Sequence, residues 1–194
     1  MIRQIATTAA IAAVGPLVTL QGSAAHAQAG ALYTVVVPAG EFGSPAFAGV
    51  LVGGIAAVKK FCSQIGDDAY HVDCLAERLS VVAAGIPQDS DYADVRKTLL
   101  DTSAKLSRLA RSNRDAGLPR ANVTQPGAEP VTTTRPLTPV ARSAVPRVNQ
   151  QAVAILEETE TILLRSADNS EEKLAQYTRI AEAVGSNKVL LRAS

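Results

Sequence analysis

The chain has 194 residues, room for one domain of ordinary size, and a formal net charge of +1, so it carries no overall charge imbalance. Tryptophan is absent and aromatic residues make up only 4% of the chain, too few for a surface that stacks on sugar rings or exposed bases. No nucleic-acid partner is therefore expected. The only two cysteines, Cys62 and Cys74, do not form a CxxC redox pair.

Residues 1–27 read as a secretory signal peptide. Arg3 supplies the positive start, Ile5 to Leu20 is apolar around a Gly15-Pro16 break, and Ala25-His26-Ala27 is a small-x-small cleavage pattern. The mature chain is expected to start at Gln28, in the bacterial periplasm or outside the cell. Residues 28–43 form an extended arm in which Tyr33-Thr-Val-Val-Val37 is a candidate edge strand.

Residues 44–116 carry the main helical signal. Ser44 and Pro45 start a first helix whose face is Phe47, Leu51, Ile55, Val58, Cys62 and Ile65, with Gly66 as a left-handed stop. A second helix, capped by Asp67 or Asp68, carries the stripe Val72, Leu75, Leu79 and Val82, and Gly85 and Pro87 end it. Cys62 and Cys74 then face each other across the connection, and a disulfide between them is predicted in an oxidising compartment. Gly49, Gly53 and Ala57 sit four apart, and each helical glycine costs about 1 kcal/mol, so close approach of a second backbone is expected there. In a membrane the same spacing marks helix dimerisation. The apolar run from Ala46 to Val58, ended by Lys59 and Lys60, is short for a span.

Asp89 or Ser90 caps a third helix to about Asn113, with Tyr92, Val95, Leu99, Thr102, Leu106 and Leu109 as a seam of coiled-coil type. Toward its end Lys105, Arg108, Arg111 and Arg114 form a candidate anion-binding stripe. They belong to a segregated charge pattern: residues 96–147 hold ten basic and three acidic residues, while the flanks are acidic. Such a middle either folds back on its flanks or meets an anionic envelope component.

Residues 117–148 are a Pro-rich linker, expected to be disordered or polyproline-like, in which Arg135-Pro-Leu-Thr-Pro139 has the spacing of a proline-rich ligand. Residues 149–185 form a second hairpin. Asn149 caps its first helix, where Ala152, Ile155, Leu156, Thr159, Ile162 and Leu163 face the core and Glu157, Glu158 and Glu160 are solvated. Asn169 and Glu172 start the next helix, with Leu174, Tyr177, Ile180, Ala181 and Val184 inward and Gly185 at its end. The tail, 186–194, contains the candidate strand Lys188-Val-Leu-Leu-Arg192.

The fold expected is mainly α: a small bundle of about five helices with one intrachain disulfide and a long Pro-rich disordered connection. Chemistry is sparse. Asp67, Asp68, His71 and Asp73 are the one cluster resembling a metal or acid–base site, and acidic residues also belong at a helix N-terminus. There is no phosphate loop, dinucleotide fingerprint or nucleophile elbow. No catalytic set and no cofactor is expected. The function class indicated is a non-enzymatic interaction or adaptor module of the envelope, working through a protein partner or self-association. Two alternatives stand beside it. One is membrane association through the Gly49/Gly53 helix and the basic Lys105–Arg114 region. The other is an enzyme or metal-binding protein centred on Asp68, His71 and Asp73.

Overall fold

A computed structural model describes residues 45–167 and 171–193. The expected signal peptide, the arm with its Tyr33–Val37 strand, and the Ser44 and Asn169 caps lie outside the described residues.

Helix α1 spans Pro45–Cys62. Its four- and three-residue spacing puts Phe47, Leu51, Ile55, Val58 and Cys62 on one buried face. A 3-10 turn, Asp68–Tyr70, then leads into α2, His71–Ala84, and the Asp67 side chain accepts from the Ala69 N–H at 3.1 Å. Cys62 and Cys74 are bonded, with Cα atoms 5.8 Å apart and both sulfurs in the core. The staple joins the end of α1 to the first turn and a half of α2.

The glycines behave differently from expectation. A Cβ on Gly49 would meet nothing within 4 Å, and Ala57 is exposed. Gly54 is the glycine that faces α2, at 3.7 Å from Val82, an ordinary van der Waals distance. Among the described residues no backbone closely approaches Gly49, because the wide apolar face on the other side of α1 decides which way the helix turns. Neither helix ends on a left-handed glycine. Gly66 is not in that region, and Gly85 has φ −74° and ψ −10°. Instead Arg96 closes α2: its Nη1 donates to Ile86 O at 2.7 Å, Ala83 O at 2.8 Å and Ala84 O at 3.2 Å. A cation on the orphaned carbonyls at a helix C-terminus satisfies both their hydrogen bonding and the dipole.

Helix α3, Ala93–Ser112, starts three residues later than Ser90. Ser90 lies in the preceding turn, where its hydroxyl donates to Pro87 O at 2.8 Å. The seam is as expected: Tyr92, Val95, Leu99, Thr102 and Leu106 are buried and Leu109 is half-buried.

The Pro-rich segment is ordered, against expectation. It doubles back on itself through strands β1, Thr124–Gln125, and β2, Val131–Thr132, paired antiparallel with Thr124 opposite Thr132. Bridges at Ala121–Leu137 and Arg114–Val140 continue the ribbon toward the helices. The prolines fit because their missing N–H groups fall where the irregular ribbon has no rung. Their carbonyls are used: Pro139 O accepts from the Asp115 N–H at 2.9 Å, and Pro119 O from Tyr70 Oη at 2.7 Å. Thr133, Leu137, Thr138 and Val140 are buried beneath the ribbon. We call residues 113–141 the strap.

Helix α4, Val145–Arg165, begins with Pro146 in its first turn. Pro146, whose N–H had no helical partner to lose, marks this start, and Asn149 is an interior residue. Asn149 is 4% exposed, and neither its Oδ1 nor its Nδ2 makes a hydrogen bond. Ala152, Leu156, Thr159 and Leu163 are buried, whereas Ile162 is exposed. Helix α5, Glu171–Gly185, buries Tyr177, Ile180, Ala181 and Val184 but leaves Leu174 exposed.

The tail is helical, α6 Lys188–Arg192, not a strand. Leu190 and Leu191 are both buried, and a helix lets the flanking cations reach one side. Lys188 Nζ donates to Glu160 at 2.7 Å, Arg192 Nη2 lies 3.5 Å from Glu157, and Lys105 of α3 pairs with Glu158, so all three glutamates expected to be solvated are paired. Glu160 also lies over Gly185, where any Cβ would collide with its carboxylate at 1.5 Å.

The helices close a ring: α1 on α2, α2 on α3, α3 on α4, α4 on α5, and α5 back on α1. Phe47, Tyr92 and Tyr177 lock the junction of α1, α3 and α5. Phe47 and Tyr92 have ring centroids 4.5 Å apart, and the buried Tyr92 hydroxyl donates to Gln176 Oε1 at 2.6 Å.

Candidate functional site

The strongest electrostatic feature of the described residues lies between α2 and the strap. Asp73 and Glu77 sit one helical turn apart on α2, and both are essentially inaccessible to water. A buried carboxylate is costly unless charge and hydrogen bonds compensate it. The strap supplies that compensation twice. Arg135 places Nη1 2.6 Å from Asp73 Oδ2 and Nη2 2.8 Å from Oδ1. The Thr138 N–H donates to Oδ2 at 2.7 Å, and Ser107 Oγ of α3 donates to Oδ1 at 3.1 Å. Glu77 accepts from both the N–H and the hydroxyl of Thr134, at 2.7 and 2.8 Å, and is ion-paired with its neighbour Arg78. The Arg78 guanidinium in turn lies 4.8 Å over the Phe61 ring of α1.

The electrostatics follow. Burial by itself would raise the Asp73 carboxyl. The bonds from Arg135, Thr138 and Ser107 outweigh it and hold the group below the ordinary carboxylate range. Burial likewise acts to raise Glu77, and Arg78 and Thr134 override it. Both groups are charged, fully engaged, and employed in holding the strap down.

The residues of the expected acid–base cluster do not come together. Asp73 is committed to Arg135. Asp67 caps the 3-10 turn and pairs with Arg142 at 2.9 Å near the surface. His71 Nε2 donates to Ile65 O at 2.9 Å, which leaves that nitrogen no lone pair for a metal. Asp68 lies within the turn itself. Among the described residues, no group of three or more His, Cys, Asp or Glu side chains is placed to hold a metal ion.

The basic stripe also divides. Lys105 pairs with Glu158 of α4 at 2.6 Å. Arg111 turns toward the strap, with Nη1 2.8 Å from Ser107 Oγ. Arg108 faces a groove between α3 and the end of α4, and Arg114 enters the strap's ribbon through its backbone.

That groove encloses about 330 Å³. One face of α3 supplies Asp94, Lys97, Asp101, Lys105 and Arg108, and α4 contributes Ile162. Asp94, Lys97 and Asp101 are exposed. The apolar face of α1, by contrast, is turned wholly into the core, and no helix among the described residues is long and apolar enough to cross a membrane.

Sequence reasoning missed Glu77, Arg78, Arg96, Ser107 and Arg135. Arg135 stood inside an apparent proline-rich ligand motif, and its one distinguishing sign was a lone cation amid prolines and threonines. No protein-family model, curated protein or solved structure matches the chain.

Proposed function

We propose that the protein is exported and serves as a non-enzymatic interaction module that receives a protein partner in the α3–α4 groove. The charge pattern of the groove carries this reading. Asp94 and Asp101 alternate with Lys97, Lys105 and Arg108 around the exposed Ile162. Side chains of both signs around an apolar spot suit the mixed surface of a folded protein. The two aspartates interrupt the continuous cationic stripe that a polyanion or an anionic membrane would need. The signal-like segment 1–27 and the Cys62–Cys74 bridge favour an oxidising compartment. The buried carboxylates Asp73 and Glu77, being saturated by the strap, favour a structural over a catalytic use.

The test is site-specific photo-crosslinking in cells, with the crosslinker at Lys97 in the groove and at Glu182 on α5 as a control. A discrete adduct from Lys97 alone, diminished by Asp101→Lys without loss of thermal stability, supports the reading. An adduct between two copies would assign the groove to self-association. Equal adducts from both positions, or none, would reject it. Export is decided separately by the mass of the processed chain, expected to begin at Gln28.

A further inference from the structure

The charges that α3 presents to the groove form an ordered pattern. Asp94, Lys97, Asp101, Lys105 and Arg108 recur at three- and four-residue steps, so they lie in one stripe along the helix. Opposite charges at that spacing can pair along a single helix. Among the described residues these do not: of the stripe only Lys105 is ion-paired, and its partner is Glu158 of α4. The pattern is complementary to its own reverse. A second α3 laid antiparallel, with Leu99 and Leu100 of both copies at the centre, sets Lys97 opposite Asp101 and Asp94 opposite Lys105. The same register sets Arg108 opposite Asp91, which is exposed in the turn before α3. A parallel copy would instead set each charge against itself. The apolar spot of the groove falls at the same centre. Helices α3 and α4 run antiparallel, with Thr102 2.7 Å from Thr159, Lys105 2.6 Å from Glu158 and Arg147 2.7 Å from Asn113. Ile162 lies one turn beyond Thr159, which brings it level with residues 98–101 of α3. It is 40% exposed and lines the groove with Thr98 and Asp101.

We propose that the partner received by the groove is a second copy of this chain, docked with two-fold symmetry and with the two α3 helices antiparallel. This rests on the groove being a protein-binding surface and names what fills it. A two-fold interface forms every contact twice, so Lys97–Asp101, Asp94–Lys105 and Asp91–Arg108 each occur on both sides of the axis. Lys105 carries three N–H donors and can keep Glu158 while meeting Asp94 of the second copy. The two Ile162 side chains come together at the axis, with the charges as a rim around them. Exposed ion pairs contribute little each, so the association is reversible, and the alternating signs serve chiefly to fix orientation and register.

The experiment is analytical ultracentrifugation of the full chain over a concentration series at low and high salt. A monomer–dimer equilibrium that weakens with salt is expected, because exposed charges are screened. Lys97→Glu and Asp101→Lys each turn both copies of one attractive contact into a repulsive one, and each should weaken the dimer about tenfold. Both positions are exposed, so thermal melts of the two variants should match the parent's. Mixed in equal amounts, the two variants should recover association with each other. Across the axis the substituted position 97 of one then faces the substituted position 101 of the other, and the native Lys97–Asp101 pair survives on the opposite side. A mixture that associates no better than its components overturns the proposal. So does a parent chain that stays monomeric at every concentration, or a dimer that neither variant weakens. The groove itself is judged separately. A monomeric chain that still gives a discrete adduct with another protein from Lys97 in cells keeps the groove as a protein-binding surface and rejects the second copy as its occupant.

Discussion

Arg135 and Asp73 are 62 residues apart in the chain and joined by two parallel hydrogen bonds of 2.6 and 2.8 Å. Because Asp73 is fully buried, removing its partner strands a charge. Arg135→Met is expected to destabilise by about 3 kcal/mol, the lower end for a broken buried pair, since the arginine is partly exposed. Adding Asp73→Leu should recover part of that loss, because the stranded charge goes with it. Urea unfolding of both variants is the check. A single-variant loss below about 1 kcal/mol would mean the pair contributes little to holding the strap.

The two depressed carboxyls make stability depend on pH. Asp73 and Glu77 in the folded chain lie below their ordinary values of 3.8 and 4.5, so in that region the unfolded chain binds more protons than the folded one. Their contribution is fully present above pH 4.5 and is lost as the pH falls through the two folded values. The urea midpoint should therefore drop steeply below that point. Glu77→Gln should lower stability at neutral pH and flatten the acid limb. An acid limb identical in Glu77→Gln and the parent chain would remove Glu77 from this account.

Asn149 gives a prediction of opposite sign. Its buried amide has two polar ends and no hydrogen bond. Asn149→Leu, which keeps the number and branching of side-chain heavy atoms, is expected to raise stability by about 1–2 kcal/mol, the typical cost of an unsatisfied buried polar group. A thermal melt that moved down would show that the amide has partners on the functioning protein.

The disulfide should resist reagents as well as contribute to stability. Both sulfurs are inaccessible, so thiol titration in denaturant without reductant should find no free cysteine. Replacing both cysteines with serine should lower stability by about 2–3 kcal/mol from chain entropy, with a further loss from the buried hydroxyls.

The helical spans and the staple were legible because their signals are local. Phe47, Leu51 and Ile55 recur at helical spacing, and Cys62 and Cys74 can bond only to each other. The strap was illegible for the opposite reason. Its internal pairs, Thr124–Thr132 and Ala121–Leu137, are too short to show in the sequence; two carboxylates on α2 fix it to the bundle, and proline density there reads as disorder when those partners are unseen. Asn149 and Ser90 misled because a good capping residue was read as a boundary, while Pro146 stands at the real start of α4 and Ser90 closes the turn before α3 onto Pro87 O. Lys188–Arg192 is too short for its period to distinguish strand from helix, and the glutamates of α4 decided it. In the candidate sites, Lys105 and Arg108 were legible as surface cations. The pairing of Asp73 with Arg135 was not, since one belongs to a helix and the other to an apparent linker.

The Ala141 N–H donates to Asn113 O at 2.8 Å, so the chain leaves the helical ring and returns to it at one place. Residues 114–140 are in this sense an insertion: the ring's connectivity from α3 to α4 would survive their replacement by a short turn. The helices have nonetheless become dependent on them. With the strap gone, Asp73 would lose Arg135 and Thr138 and keep Ser107, and Glu77 would lose Thr134 and keep Arg78, so two carboxylates on the inner face of α2 would be left with too few partners. An ancestral or designed form without the insertion should therefore carry apolar or uncharged polar residues at positions 73 and 77. The excursion and the two carboxylates would be gained or lost together.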